Sequence, residues 1–178
     1  MPTALLIIDV QTALCTGKWA AFNVENVIDR INASSAKARA AKLPVFLIQH
    51  EDDSLLRHGS ENWSLYPALQ TDPCDIRLRK TATDSFHKTD LQAKLQALAV
   101  TDLVICGLQS DFCVDTTTRR ALALGYPVQL IADGHSTCDN GLLNAAQISA
   151  HHALTLSNIE SFGVRVTTPL ADALRFVS

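Results

Sequence analysis

A chain of 178 residues that is 47% hydrophobic and 19% charged holds enough apolar material for one sizeable core, and its length fits a single domain spanning 1–178. A net charge of −3 without any Lys/Arg cluster argues against nucleic acid or an anionic membrane as the main partner and leaves a small molecule. No apolar run approaches the ~20 residues of a membrane span, the start lacks a basic leader, and five cysteines without C-x-x-C spacing suit a reducing compartment. A cytoplasmic protein is expected.

The first element is a buried-strand run, Ala4 to Ile8, that ends in Asp9, with Gln11 two residues on. In an open parallel sheet the ligand crevice lies beyond the carboxyl ends of the strands, so an acid there faces the site or caps a turn. Thr12 to Phe22 reads as a loop whose Trp19 suits either a rim over the site or ordinary packing. Asn23 is a plausible N-cap, and Val24, Val27, Ile28 and Ile31 form the stripe of an amphipathic helix running to about Lys42. Val45 to Gln49 is a second buried strand. The polar run His50 to Asp53 after it could hold a metal ion but reads rather as a solvated loop, since His50 lacks a regularly spaced second histidine and His58 sits in a Gly/Ser segment.

Leu55 to Pro73, with Trp63, is a connection long enough to be functional or to cover an interface. Asp75 to Lys80 alternates apolar and basic residues like a half-exposed edge strand, with Lys80 at its end. Thr89 and Gln92 have capping-box spacing before a helix with Leu91, Leu95 and Leu98 on one face.

Leu103 to Tyr126 reads as strand, tight turn, helix. Leu103 to Cys106 is a buried strand ended by Gly107, and Val114, Thr117, Thr118, Ala121 and Leu122 recur at helical spacing. With Ser110 as N-cap, Cys113 falls in the first helical turn. There the helix dipole can lower a thiol's pKa into a range of roughly 3.5 to 7.5, giving a thiolate at neutral pH. A buried small hydrophobe is the other reading of Cys113, and the local sequence leaves both open. Pro127 to Ala132 is a further buried strand closed by Asp133, Gly134 and His135. Asn140 or Asp139 caps a helix whose stripe is Leu142, Ala146, Ser149, Ala153 and Leu156. A last strand, Phe162 to Val166, and a terminal helix, Leu170 to Phe176, close the chain.

Six strands in near-regular alternation with helices predict a three-layer α/β/α, Rossmann-like fold with a mainly parallel six-stranded sheet. If the first and fourth strands are neighbours, Asp9 and Cys113 meet where the strand order reverses, and Lys80 can reach them from the end of another strand. A thiol, a carboxylate and a cation in one crevice make an activated nucleophile, with backbone N–H groups of the turn as oxyanion donors.

The segments LLIIDVQ with Asp9, RKTATDSF with Lys80, and CGLQSDFCVDTTTRRALALGY with Cys113, followed by ADGHST, resemble the isochorismatase-like cysteine hydrolases in order and spacing. The resemblance implies a catalytic triad of Asp9, Lys80 and Cys113, and a cis peptide bond between Leu108 and Gln109 with the Gln109 and Cys113 N–H groups in the oxyanion hole. Nicotinamidases in that superfamily carry Asp-x-His after the second strand. This chain has QHEDD there, a departure from that metal site, and its segments QHEDDSLLRHGSENWSLYPAL and ISAHHALTL resemble the small, metal-free subgroup that includes streptothricin hydrolase, which implies neither metal nor cofactor. The resemblance also implies a homo-oligomer, dimer or tetramer. The expected function is hydrolysis of a C–N bond (amide, lactam or ureido) in a small molecule through a Cys113 thioester, with Gln11, Trp19, Trp63, Phe112 and His135 as candidates for the substrate pocket. A vinyl-ether hydrolase of the isochorismatase type, and a non-catalytic binder or thiol redox sensor, are the alternatives.

Overall fold

The apolar runs pair side by side as one parallel sheet. The computed structural model describes residues 2–174 and 176. Its strands are β1 (Thr3–Ile8), β2 (Val45–His50), β3 (Ile76–Lys80), β4 (Asp102–Leu108), β5 (Val128–Ser136) and β6 (Val166–Thr167). They lie in the order β3-β2-β1-β4-β5-β6 with every adjacent pair parallel. The helices are α1 (Thr12–Cys15), α2 (Val24–Ala40), α3 (Leu91–Ala97), α4 (Asp115–Ala123) and α5 (Ala145–Ser157). No helix among the described residues is long and apolar enough to cross a membrane.

Strand side chains alternate between faces, and the sequence supplies apolar residues for both. Leu6, Ile8, Phe46, Ile48, Leu103 and Ile105 pack under Leu91 and Leu95 of α3, Ala121 and Leu122 of α4, and Leu156 of α5. Leu5, Ile7, Leu47 and Val104 face the other way, under Val27, Ile28, Ile31 and Ala38 of α2. The result is the expected three layers, each fully buried aliphatic side chain contributing roughly 1.5–3 kcal/mol. The order reverses between β1 and β4, and there the strands approach closely. Gly107 pairs with Ile8 at a φ of 117°, and a Cβ on Gly107 would collide with the Ile8 backbone, so only glycine fits.

Several boundaries differ from the sequence reading. The loop expected at Thr12 to Phe22 contains α1 and a 3₁₀ turn, Gly17–Trp19. β2 runs one residue further, through His50. Thr89 makes no capping box: its Oγ1 donates to the Ser85 carbonyl at 2.7 Å, α3 starts after Asp90, and Leu98 lies past its end, exposed. The box forms instead at Asn144 and Gln147, while Asp139 accepts the Ala145 N–H. α5 therefore begins later than expected and buries Ala145, Ile148 and Leu156, leaving Leu142 in solvent. The last strand shrinks to Val166–Thr167, with Phe162 exposed. Of the expected terminal helix a 3₁₀ turn, Ala171–Ala173, is present, and Arg175 lies outside the described residues.

Candidate active site

β1 ends because Asp9 adopts a left-handed backbone, φ 51°, which short polar residues tolerate. The Asp9 N–H still bonds the Ile48 carbonyl, and the Asp9 carbonyl accepts from the Gln11 N–H, so the carboxylate turns out of the ladder at the carboxyl end of the sheet. It is 1% exposed.

Lys80 comes from the edge strand, yet it is buried. The alternation in β3 decides this: Leu78 and Lys80 point inward while Arg77 and Arg79 point to solvent. Its Nζ lies 2.7 Å from Asp9 Oδ2 and 3.1 Å from Cys113 Sγ. Burial opposes the Lys80 charge, but the Asp9 carboxylate and the Cys113 sulfur prevail and raise its pKa.

Cys113 reaches the same point from beyond β4. Ser110 to Val114 form a π-helical turn, closed by the Val114 N–H on the Gln109 carbonyl, before α4 begins at Asp115. Ser110 does not cap this turn because its Oγ is engaged 2.7 Å from His135 Nδ1 and 2.9 Å from Ser149 Oγ. The wide turn holds the sulfur over the ends of β1 and β3. The peptide bond between Leu108 and Gln109 is cis, as the resemblance implied.

The expected neutral-pH thiolate is corrected by this environment. Burial first and the Asp9 carboxylate second push the Cys113 thiol up to about 12, and the opposing pull of Lys80 is smaller. The raised value favours the thiol over the thiolate. Asp9 Oδ1 has no hydrogen-bond partner among the described residues, so it is open to receive a proton.

The remaining candidates separate. Gln11 is fully buried and cannot face a substrate: its amide accepts from the His50 N–H at 2.9 Å and donates to the carbonyls of His50 and Trp63 at 2.9 and 2.8 Å. It clamps the connection between β2 and β3 onto β1. Trp63 is half-buried, its ring edge-on to His58 at 4.6 Å. Phe112 is exposed beside Cys113. Trp19 is also exposed, and its carbonyl accepts from Cys138 Sγ, which in turn accepts from the Gln109 amide. His135 is buried. It lines a cavity of about 440 Å³ with Phe22, Asn26, Arg30 and Ser149, a cavity that Asp9, Lys80 and Cys113 do not line.

The sequence reading places His50 in a solvated loop. The strand carries it to the same level as Lys80, its register partner, and its Nδ1 stands 3.3 Å from Lys80 Nζ. Asp9, His50 and Cys113 have potential ligand atoms within 4.8 Å of one another. Lys80 Nζ is within hydrogen-bonding reach of all three, so a cation of the chain itself already stands among them.

A parallel sheet thus gathers a thiol, a carboxylate and an ammonium beside its reversal point. The isochorismatase domain signature matches residues 3–168, and the chain belongs to that family. It is 38% identical over 138 residues to streptothricin hydrolase of Streptomyces noursei, a match covering 76% of this chain and 50% of that protein, so the chain spans about half the length of that relative. It is 29% identical over 198 residues to ureidoacrylate amidohydrolase of Methylobacterium radiotolerans, covering 90% of this chain and 74% of that one. The crystal structure of an isochorismatase family protein superposes with a TM-score of 0.85 at 37% identity, covering 93% of this chain and 98% of the other.

Proposed function

We propose that this chain is a metal-independent cysteine hydrolase that cleaves a C–N bond, of the amide, lactam or ureido kind, in a small molecule. The convergence of Asp9, Lys80 and Cys113 on one buried point carries the reading. The names of relatives, an amidohydrolase among them, support the bond class.

Asp9 takes the Cys113 proton as the sulfur attacks the carbonyl carbon, which makes the nucleophile only when substrate is present. The N–H groups of Gln109 and Cys113 receive the oxyanion. Collapse of the tetrahedral adduct breaks the C–N bond, and Asp9 returns the proton to the departing nitrogen. Asp9 then draws a proton from water, whose oxygen attacks the thioester carbon. The acid leaves, and the proton goes back to the Cys113 sulfur. Lys80 supplies a fixed positive charge beside both anionic stages, and the ammonium makes a metal ion unnecessary at that point.

A panel of small amides, lactams, ureido compounds and isochorismate, run with the wild type, Cys113→Ala and Asp9→Asn, tests the reading. It expects turnover of a C–N compound that both substitutions abolish. Turnover of isochorismate alone, or activity that survives in Cys113→Ala, overturns it.

A further inference from the structure

Four acceptors surround the Lys80 ammonium: Asp9 Oδ2 at 2.7 Å, Cys113 Sγ at 3.1 Å, the Ala82 carbonyl at 3.1 Å and His50 Nδ1 at 3.3 Å. An ammonium has three N–H groups and no lone pair. One acceptor is therefore always left over, and His50 Nδ1 bonds the ammonium only by accepting, in the tautomer with the ring proton on Nε2. Burial and the Lys80 charge push the His50 pKa below its ordinary 6.5, against smaller opposing effects of Asp9, the Ala82 carbonyl and Asp52, so the ring is neutral near pH 7.

The placement of this imidazole is fixed twice. Its backbone is held at both N–H and carbonyl by the buried Gln11 amide, and its side chain follows Phe46 and Ile48 on the face that also packs Cys113.

Charge sorts the four acceptors during a reaction. A carboxylate and a developing thiolate win N–H groups over a neutral imidazole. A thioester sulfur, like a thioether, accepts weakly. We propose that His50 is a positioning residue acting through Lys80: when the Cys113 sulfur is acylated and releases its N–H, His50 Nδ1 takes that N–H and keeps the ammonium seated beside Asp9 for deacylation. This assignment rests on the cysteine-hydrolase reading above.

The consequence is a split between half-reactions. Acylation proceeds with the sulfur engaged by Lys80, whereas deacylation depends on the reserve acceptor. p-Nitrophenyl acetate separates the two, since release of p-nitrophenolate on acetylation of Cys113 gives a burst and hydrolysis of the acetyl thioester by water gives the steady rate. His50→Leu is expected to slow the steady phase by roughly tenfold more than the burst. His50→Asn, whose side-chain oxygen stands near the place of Nδ1, restores most of the loss. His50→Gln, polar but with its oxygen carried one bond further, gives the split should the Leu variant fail to fold. Equal slowing of both phases with no recovery in His50→Asn marks a merely structural residue and overturns the proposal, as do wild-type rates in His50→Leu. A burst that persists in Cys113→Ala, or its absence from the wild type, instead overturns the hydrolase reading and the His50 assignment with it.

Discussion

Lys80 and Asp9 form an ion pair, Nζ to Oδ2 at 2.7 Å, in which neither side chain is more than 1% exposed. The pair joins the edge strand to the strand at the sheet's reversal point. Removing one member leaves the other charge buried and uncompensated, which costs about 3–5 kcal/mol. Lys80→Met should therefore lower unfolding stability by that order, and Lys80→Met with Asp9→Asn should recover part of it. Urea denaturation measures both, and a single variant as stable as wild type would contradict the pairing.

Asp9 raises the Cys113 pKa and in the proposed reaction is also its base, two effects that pull in opposite directions on substitution. Asp9→Asn removes the second largest cause of the elevated thiol pKa and leaves Lys80 to favour the thiolate. Iodoacetamide should then label Cys113 faster than in wild type at the same mildly alkaline pH, while hydrolysis is lost. Peptide mapping of the labelled protein reads this directly, with exposed Cys74 as the internal reference. Slower labelling of Cys113 in Asp9→Asn would contradict the electrostatic assignment.

His135 is buried, and burial leads the causes that push its pKa from 6.5 down to about 4. Between those values the unfolded chain binds a proton that the folded chain does not, so stability is full above the upper value and falls as the solution is acidified toward the lower one. The linkage amounts to about 3 kcal/mol. Stability measured against pH should show this decline in wild type and a shallower one in His135→Asn. Parallel curves would contradict it.

Gly107 stands where β4 passes β1. Gly107→Ala forces a Cβ against the Ile8 backbone at a φ that side chains rarely adopt. A loss on the order of 3 kcal/mol is expected, and hydrolysis should fall with it because Ile8 precedes Asp9. Thermal unfolding and activity of the variant check both, and an unchanged midpoint would contradict the close approach.

Periodicity made the architecture legible. Six strands, three layers and the juxtaposition of Asp9 with Cys113 all follow from apolar runs that end in polar residues. Lys80 was legible only as a lysine at a strand end that the resemblance singled out, since its local sequence would equally pass for a solvated edge-strand lysine; the structure shows that it shares the inward face of Leu78. His50 obeyed the same rule as Asp9, a polar residue closing a buried strand, but ending β2 at Gln49 put it in the loop. Gln11 illustrates the opposite failure. Its position beside Asp9 suggested a ligand contact, whereas its amide is consumed by two carbonyls and an N–H from residues 39 and more positions away, partners that no local pattern reveals. The Cys113 pKa was misjudged because a helix N-terminus is visible in sequence, while burial and a carboxylate brought from the other end of the chain are not.

The covalent step is open to one decisive observation. A C–N substrate found by the panel is mixed with enzyme, the reaction is quenched in acid during turnover, and the protein's intact mass and its Cys113 peptide are measured. The expected result is a mass increase equal to the substrate's acyl portion, located on Cys113 and absent from Cys113→Ala. Turnover with an unmodified Cys113, or an acyl group carried on another residue, would contradict the account.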